Sequence, residues 1–170
     1  MKPIHHTFGP HVTLSYLVES WVLLMKPWQW RKGFNREKLR SSIQYWFDAK
    51  CFLFSSGREG MLALLRSLDF EPGSEVIVQG YTCVALPNAI HAAGYTPIFV
   101  DIDPGTLNMH SKDLEKKITA RTKAIICQHT FGIIADTQKL REICDKNHAV
   151  LIEDLAHVLP DVSGPDNLGK

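Results

Sequence analysis

From Cys51 onward, short uninterrupted apolar runs alternate with stretches of helical periodicity, and this alternation limits the possible folds more than any other feature of the chain. Cys51-Phe-Leu-Phe54, Glu75-Val-Ile-Val78, Pro97-Ile-Phe-Val100, Ala124-Ile-Ile-Cys127 and Val150-Leu-Ile152 predict five strands. Helices are predicted over Met61 to Leu68, over Val84 to Ala93 with Gly94 as the stop, from a Ser111 cap through Ile118, and over Asp136 to Lys146. The runs lack the period-two alternation of a half-solvated strand, so both of their faces are buried. That pattern predicts an α/β fold: a mostly parallel sheet with helices on both faces. A chain of 170 residues with 45% hydrophobic content can fill such a core.

In a sheet of this kind ligands bind at the carboxyl ends of the strands, near helix N-termini. The positions to examine are therefore Ser55 to Glu59, Tyr81 to Cys83, Asp101 and Asp103, Gln128 to His129, and Asp154 to His157, all expected on one edge.

The first fifty residues follow another pattern and are read as a separate apolar and basic helical segment, 1–50, ahead of an α/β domain over 51–170. They hold all four tryptophans (Trp21, Trp28, Trp30, Trp46) and the basic cluster from Lys26 to Lys32. Thr13 to Trp30 is strongly apolar, but Glu19 interrupts it and Pro27 closes it short of the roughly 20 residues of a membrane span. A helix packed on the main domain or on a partner subunit is the expectation. His5, His6 and His11 lack a neighbouring cysteine or carboxylate at ligand spacing, so a solvated terminus is preferred to a metal site. Arg31, Lys32, Arg36, Lys38 and Arg40 interleave with aromatics, yet a net charge of +1 and a pI near 7.7 give no field that gathers nucleic acid or an anionic membrane. Cys51, Cys83, Cys127 and Cys144 form no CxxC pair and read as reduced thiols. With no signal-peptide pattern, they point to the cytoplasm.

Several constellations carry chemistry. Ser55-Ser-Gly-Arg-Glu-Gly60 joins a strand to a helix, where unpaired amides, the helix dipole and the Arg58 guanidinium suit a phosphate; an ordinary capped helix start is the alternative. Tyr81 could lie over a planar ring or simply pack. His129 reads as a satisfied polar residue rather than a base, and Asp101-Ile-Asp-Pro104 as a turn opened by Asp103 rather than a metal site. Asp154, at the end of Ala149-Val-Leu-Ile-Glu-Asp154 and three residues before His157, suits a cofactor with a protonated ring nitrogen. Pyridoxal 5'-phosphate needs such a partner for its electron-sink chemistry. The alternative is an Asp that satisfies loop amides.

Taken in order, five longer stretches add to this pattern: Glu71 to Val78, Asn88 to Asp103, Ile118-Thr-Ala-Arg-Thr-Lys-Ala-Ile-Ile126, His129 to Asp136, and Val150 to His157. Together they resemble the DegT/DnrJ/EryC1/StrS aminotransferase family, fold-type I pyridoxal phosphate enzymes, over about Leu53 to Leu159. The resemblance implies amino transfer from glutamate to a nucleotide-linked keto sugar in polysaccharide or nucleotide-sugar biosynthesis, by a homodimer with sites at its interface. It implies that Gly57, Arg58 and Glu59 hold the phosphate, where the family often has Thr-Ala or Thr-Ser. Asp154 then pairs with the ring nitrogen, and His157 contacts the cofactor near its phenolic oxygen. Cys83 stands where the family commonly stacks an aromatic, a contact that Tyr81 could replace. The Schiff-base lysine is expected beyond Lys170, in a Ser-rich segment, so no catalytic residue is identified within the chain. On that reading residues 51–170 are an incomplete large domain and the chain is a truncated, N-terminal part of the enzyme.

Two other outcomes stay open on sequence. One is a non-catalytic family member acting as a binding or subunit-association module. The other is a different chemistry on the same fold: a decarboxylase, an aldolase, a cysteine desulfurase, or a dehydratase with histidine in the lysine's place.

Overall fold

The computed structural model describes residues 12–30 and 33–158, and the chain divides into two compact units, residues 1–51 and 52–170. His5, His6, His11, Arg31, Lys32 and Lys170 lie outside the described residues.

In the first unit, helix α1 (Leu14–Leu24) begins where Thr13 Oγ1 accepts the Tyr16 amide at 3.2 Å. It ends ahead of Pro27, whose fixed φ suits the first position of the short 3₁₀ turn Pro27–Gln29. Trp30 Nε1 donates back to the Leu23 carbonyl at 2.7 Å and so ties that turn to the helix. Helix α2 (Phe34–Phe47) starts after Gly33, whose φ of 63° is the left-handed conformation glycine adopts without penalty. Neither helix buries a residue, and no described helix is long and apolar enough to cross a membrane.

The second unit is a four-stranded parallel sheet: β1 (Glu75–Gln79), β2 (Thr96–Val100), β3 (Thr122–Gln128) and β4 (Val150–Asp154), in the order β2-β1-β3-β4. Its helices are α3 (Gly57–Ser67), α4 (Ala85–Ala92), α5 (Ser111–Lys117) and α6 (Thr137–Lys146). Alternate strand residues feed two cores. Val76, Val78, Ala124, Ile126 and Ile152 pack with Leu65 of α3 and Leu86, Ala89 and Ile90 of α4. Ile77, Ile125 and Cys127 pack on the opposite face with Leu114 of α5 and Leu140, Ile143 and Cys144 of α6. In the central strands β1 and β3 the continuous apolar runs thus reflect burial on both sides, whereas the edge strands β2 and β4 are only partly covered, with Phe99 47% and Val150 38% exposed. Both buried thiols are pushed upward by desolvation, Cys127 to about 12 and Cys144 to about 11.

Among the described residues the sheet has one strand fewer than the five expected: Cys51 to Phe54 forms no regular secondary structure and pairs with no described strand. A strand requires a ladder partner, and this run lacks one. Phe52 is 75% exposed, and the Phe54 ring rests over Gly60, where an added Cβ would come within 3.2 Å of it. Helix α3 also begins earlier than periodicity predicts, because Ser56 caps it by accepting the Glu59 amide at 3.2 Å. At α5 the cap is His110, whose Nδ1 accepts the Asp113 amide, and Ser111 is the first helical residue. The Asp103 turn takes the predicted form, with Oδ1 accepting the Gly105 amide at 2.8 Å.

Candidate cofactor site

The chain leaves β1 toward β2 on the α4 side, then recrosses β1 to reach β3 by way of α5 on the other side. The carboxyl ends of β1 and β3 therefore diverge at a topological switch point, where open α/β sheets bind ligands. A cavity of about 430 Å³ lies there, within the size range of small-molecule sites. Its walls are the start of α3 (Gly57, Arg58, Met61), the segment after β1 (Tyr81, Thr82, Cys83), the end of β3 (Gln128, Thr130, Phe131) and the end of β4 (Asp154, Ala156, His157).

Six of the seven residues singled out from sequence, Gly57, Arg58, Tyr81, Cys83, Asp154 and His157, line this one cavity. The seventh, Glu59, is not part of its lining; its carboxylate accepts the Ser55 hydroxyl. Asp101 and Asp103 stand apart from it, beyond β2. His129 is buried behind it. Its Nδ1 accepts the Ala135 amide at 3.1 Å, so the ring proton resides on Nε2, 3.6 Å from a Glu153 carboxylate oxygen.

At one end of the cavity, the amides of Gly57 and Arg58 begin α3 without intrahelical acceptors, and the positive end of the helix dipole adds to the Arg58 charge. A Cβ placed on Gly57 would meet nothing within 4 Å, so space for a ligand adjoins the backbone. These groups suit an anion. At the β4 end, the Asp154 carboxylate is fixed by two donors: the Ala156 amide to Oδ1 at 3.0 Å and Gln128 Nε2 to Oδ2 at 3.2 Å. Each oxygen retains acceptor capacity for a cationic or protonated group. Between the two ends stands an aromatic wall. Phe131 stacks on His157 at 5.6 Å with ring planes 3° apart, and Tyr81 meets Phe131 edge-on at 6.1 Å. His157 Nδ1 accepts the Phe131 amide at 3.2 Å, which leaves its proton on Nε2. Two buried polar atoms of the lining, Thr82 Oγ1 and Gln128 Oε1, have no partner among the described residues. An orphaned buried acceptor or hydroxyl is costly unless a ligand or water completes it.

The roles of Thr130 and Phe131 in the lining were missed from sequence. Phe131 has a φ of 53°, a left-handed conformation rare for an aromatic, and Gly132 follows at 87°. The only hint in the sequence was the glycine directly after an aromatic at a strand end.

Comparison with known proteins supplies the family. The chain matches the DegT/DnrJ/EryC1/StrS aminotransferase family over residues 22–164, which extends the likeness well into the first fifty residues. It is 41% identical over 102 residues to a protein of Escherichia coli O157:H7 named GDP-perosamine synthase, covering 60% of this chain and 28% of that one. The crystal structure of an aminotransferase from Psychrobacter cryohalolentis superposes with a TM-score of 0.80 at 26% identity, over 90% of this chain and 39% of that one. A Bacillus subtilis structure with bound cofactor PMP superposes at 0.69 with 31% identity, over 72% of this chain and 28% of that one. The chain spans about three tenths of the length of the curated relatives it matches. Its fold, the cavity at the sheet's switch point and the extent of the match agree: the chain belongs to the DegT/DnrJ/EryC1/StrS aminotransferase family.

Proposed function

We propose that this chain forms the cofactor cradle of a pyridoxal phosphate-dependent aminotransferase that moves an amino group from glutamate to a nucleotide-linked keto sugar. The observation that carries the reading is a single cavity with anion-binding groups at one end and a braced carboxylate, Asp154, at the other. Pyridoxal phosphate has the matching pair, a phosphate and a basic ring nitrogen; when bound, it supplies an electron sink for the transfer of the amino group.

The chain's own residues divide the work of holding it. The amides of Gly57 and Arg58, with the Arg58 guanidinium, bind the phosphate. Asp154 keeps the ring nitrogen protonated by opposing its charge. His157, with its proton on Nε2, presents a donor to an oxygen substituent of the ring. Tyr81 and Phe131 cover a ring face and exclude water, a task for which Cys83 is too small. Glu59 donates its amide to the Ser56 cap, and its carboxylate, accepting the Ser55 hydroxyl, is kept away from the phosphate. The apolar surface of α1, with Trp21 68% exposed, supports assembly as a homodimer, and the protein acts in the cytoplasm.

The test is turnover. The protein with its full coding sequence, loaded with pyridoxal phosphate, is given glutamate and a nucleotide-linked 4-keto sugar, and release of 2-oxoglutarate is followed. Release that requires both substrates and is lost in Asp154→Asn is expected. Loss of water from the sugar in place of amino transfer would assign the dehydratase chemistry and overturn the reading.

A further inference from the structure

We infer that Gln128 is a positioning residue: its side-chain amide orients the Asp154 carboxylate toward the ring nitrogen of the bound cofactor. The inference rests on the cofactor reading above and adds to it a residue that acts through Asp154.

Strand register is the first support. Gln128 and Asp154 are paired neighbours across β3 and β4. Paired residues of a parallel ladder project to the same face of the sheet. Here that face is the one Ile126 and Ile152 share with α3. The backbone thus delivers the amide beside the carboxylate, and Nε2 reaches Oδ2 at 3.2 Å.

The second support is the orphaned end of the same amide. Gln128 is only 8% exposed, and its Oε1 is buried with no partner among the described residues. Rotating the amide by half a turn would bring Oε1 against the carboxylate, oxygen to oxygen, so Asp154 fixes its orientation. A side chain present only to fill this space would be apolar, as are Ile126 and Ile152, and would carry no desolvation penalty. Gln128 retains that penalty while its nitrogen holds the carboxylate.

The third support is the way Asp154 is fixed. Ala156 N–H holds Oδ1 and Gln128 holds Oδ2, so the plane of the carboxylate is set from both sides. With Ala156 alone, the group can turn about its terminal bond, and part of its attraction for a protonated nitrogen is spent on ordering it. Partners that orient a ligating group commonly contribute a factor of about ten or more to binding.

The experiment uses pyridoxamine phosphate, which carries its own amino group and needs no lysine for binding. Calorimetry gives its affinity for the protein, and ¹⁵N NMR of ring-labelled pyridoxamine phosphate gives the pH at which the bound ring nitrogen loses its proton. In Gln128→Leu we expect binding about tenfold weaker at neutral pH. The ring midpoint should fall by about one pH unit, the same factor expressed on the proton. Arg58, Tyr81, Cys83 and His157, the other titratable groups of the lining, are retained in this variant. Gln128→Asn, whose amide falls one methylene short of Asp154, should behave in the same way and covers the case in which Leu disturbs folding. A variant that binds more weakly with the ring midpoint unmoved would make Gln128 a packing residue and overturn the inference. Failure of the unsubstituted protein to bind, or an Asp154→Asn variant that binds equally well, would instead overturn the cofactor reading.

Discussion

The two ends of the sheet treat their buried polar groups in opposite ways. At the amino end, Glu75 is 2% exposed, yet its carboxylate is fully engaged. It accepts Thr119 Oγ1 at 2.5 Å, Arg121 through Nε at 2.9 Å and Nη2 at 2.6 Å, and Thr122 Oγ1 at 3.3 Å. The Thr119 hydroxyl, followed by Arg121 and Thr122, holds this carboxyl below the usual carboxylate range against the upward push of burial. At the carboxyl end, two buried atoms of the cavity lining, Thr82 Oγ1 and Gln128 Oε1, have no hydrogen-bond partner among the described residues. Glu75 closes a structure, whereas the far end leaves polar capacity unused around a cavity. The difference separates groups that stabilise the fold from groups set to receive a ligand.

Glu75→Ala leaves the buried Thr122 hydroxyl without its carboxylate acceptor, while the exposed Thr119 and Arg121 turn to water, and should lower unfolding free energy by about 2–3 kcal/mol in urea titration. Binding of pyridoxamine phosphate by the fraction that remains folded should be unchanged. Asp154→Ala should act mainly on binding: a loss of about 2 kcal/mol, roughly thirtyfold, in calorimetric affinity, with a smaller loss of about 1 kcal/mol in unfolding free energy from the Gln128 amide it leaves unpaired.

A third prediction concerns pH. Because the Glu75 pKa is depressed in the folded state, the group binds fewer protons folded than unfolded. Its stabilisation is complete above the unfolded value, near the reference 4.5, and is lost as pH falls through the lower folded value. Glu75→Gln should flatten the acid limb of stability against pH and leave its neutral and alkaline limbs alike in shape. Thr82→Val is the smallest case. Removing an orphaned hydroxyl should change the stability of the ligand-free protein by no more than about 1 kcal/mol, in either direction. A large loss there would show that the hydroxyl already has a structural partner.

Much of this contrast is legible in the sequence, for definite reasons. Burial on both faces gives β1 and β3 continuous apolar runs, and the partly covered edge strands β2 and β4 are apolar enough to follow the same pattern, so the four strands and their parallel order class can be read directly. The cavity residues are legible because a parallel fold brings all strand carboxyl ends to one edge, which is how Gly57, Tyr81 and Asp154 come together from distant positions. Local apolarity misleads at Cys51 to Phe54, since a strand is defined by a partner that composition does not reveal. It cannot show which way a carboxylate turns, so the capture of Glu59 by Ser55 was not legible. Nor can it show cross-strand register, and the Gln128–Asp154 contact depends on it. Phe131 joins the site through a left-handed backbone that its side-chain type disfavours, a tertiary outcome with little local signal.

The central claim is that the carboxyl edge of the sheet is built for a cofactor and the amino edge is not. Amide chemical-shift mapping of the ¹⁵N-labelled protein during titration with pyridoxamine phosphate tests it most directly. The account predicts saturable shifts at Gly57, Arg58, Tyr81 to Cys83, Gln128 to Phe131 and Asp154 to His157, with Glu75 and Thr119 to Thr122 unmoved. Shifts centred on the Glu75 edge, or none that saturate anywhere in residues 52–158, would contradict it.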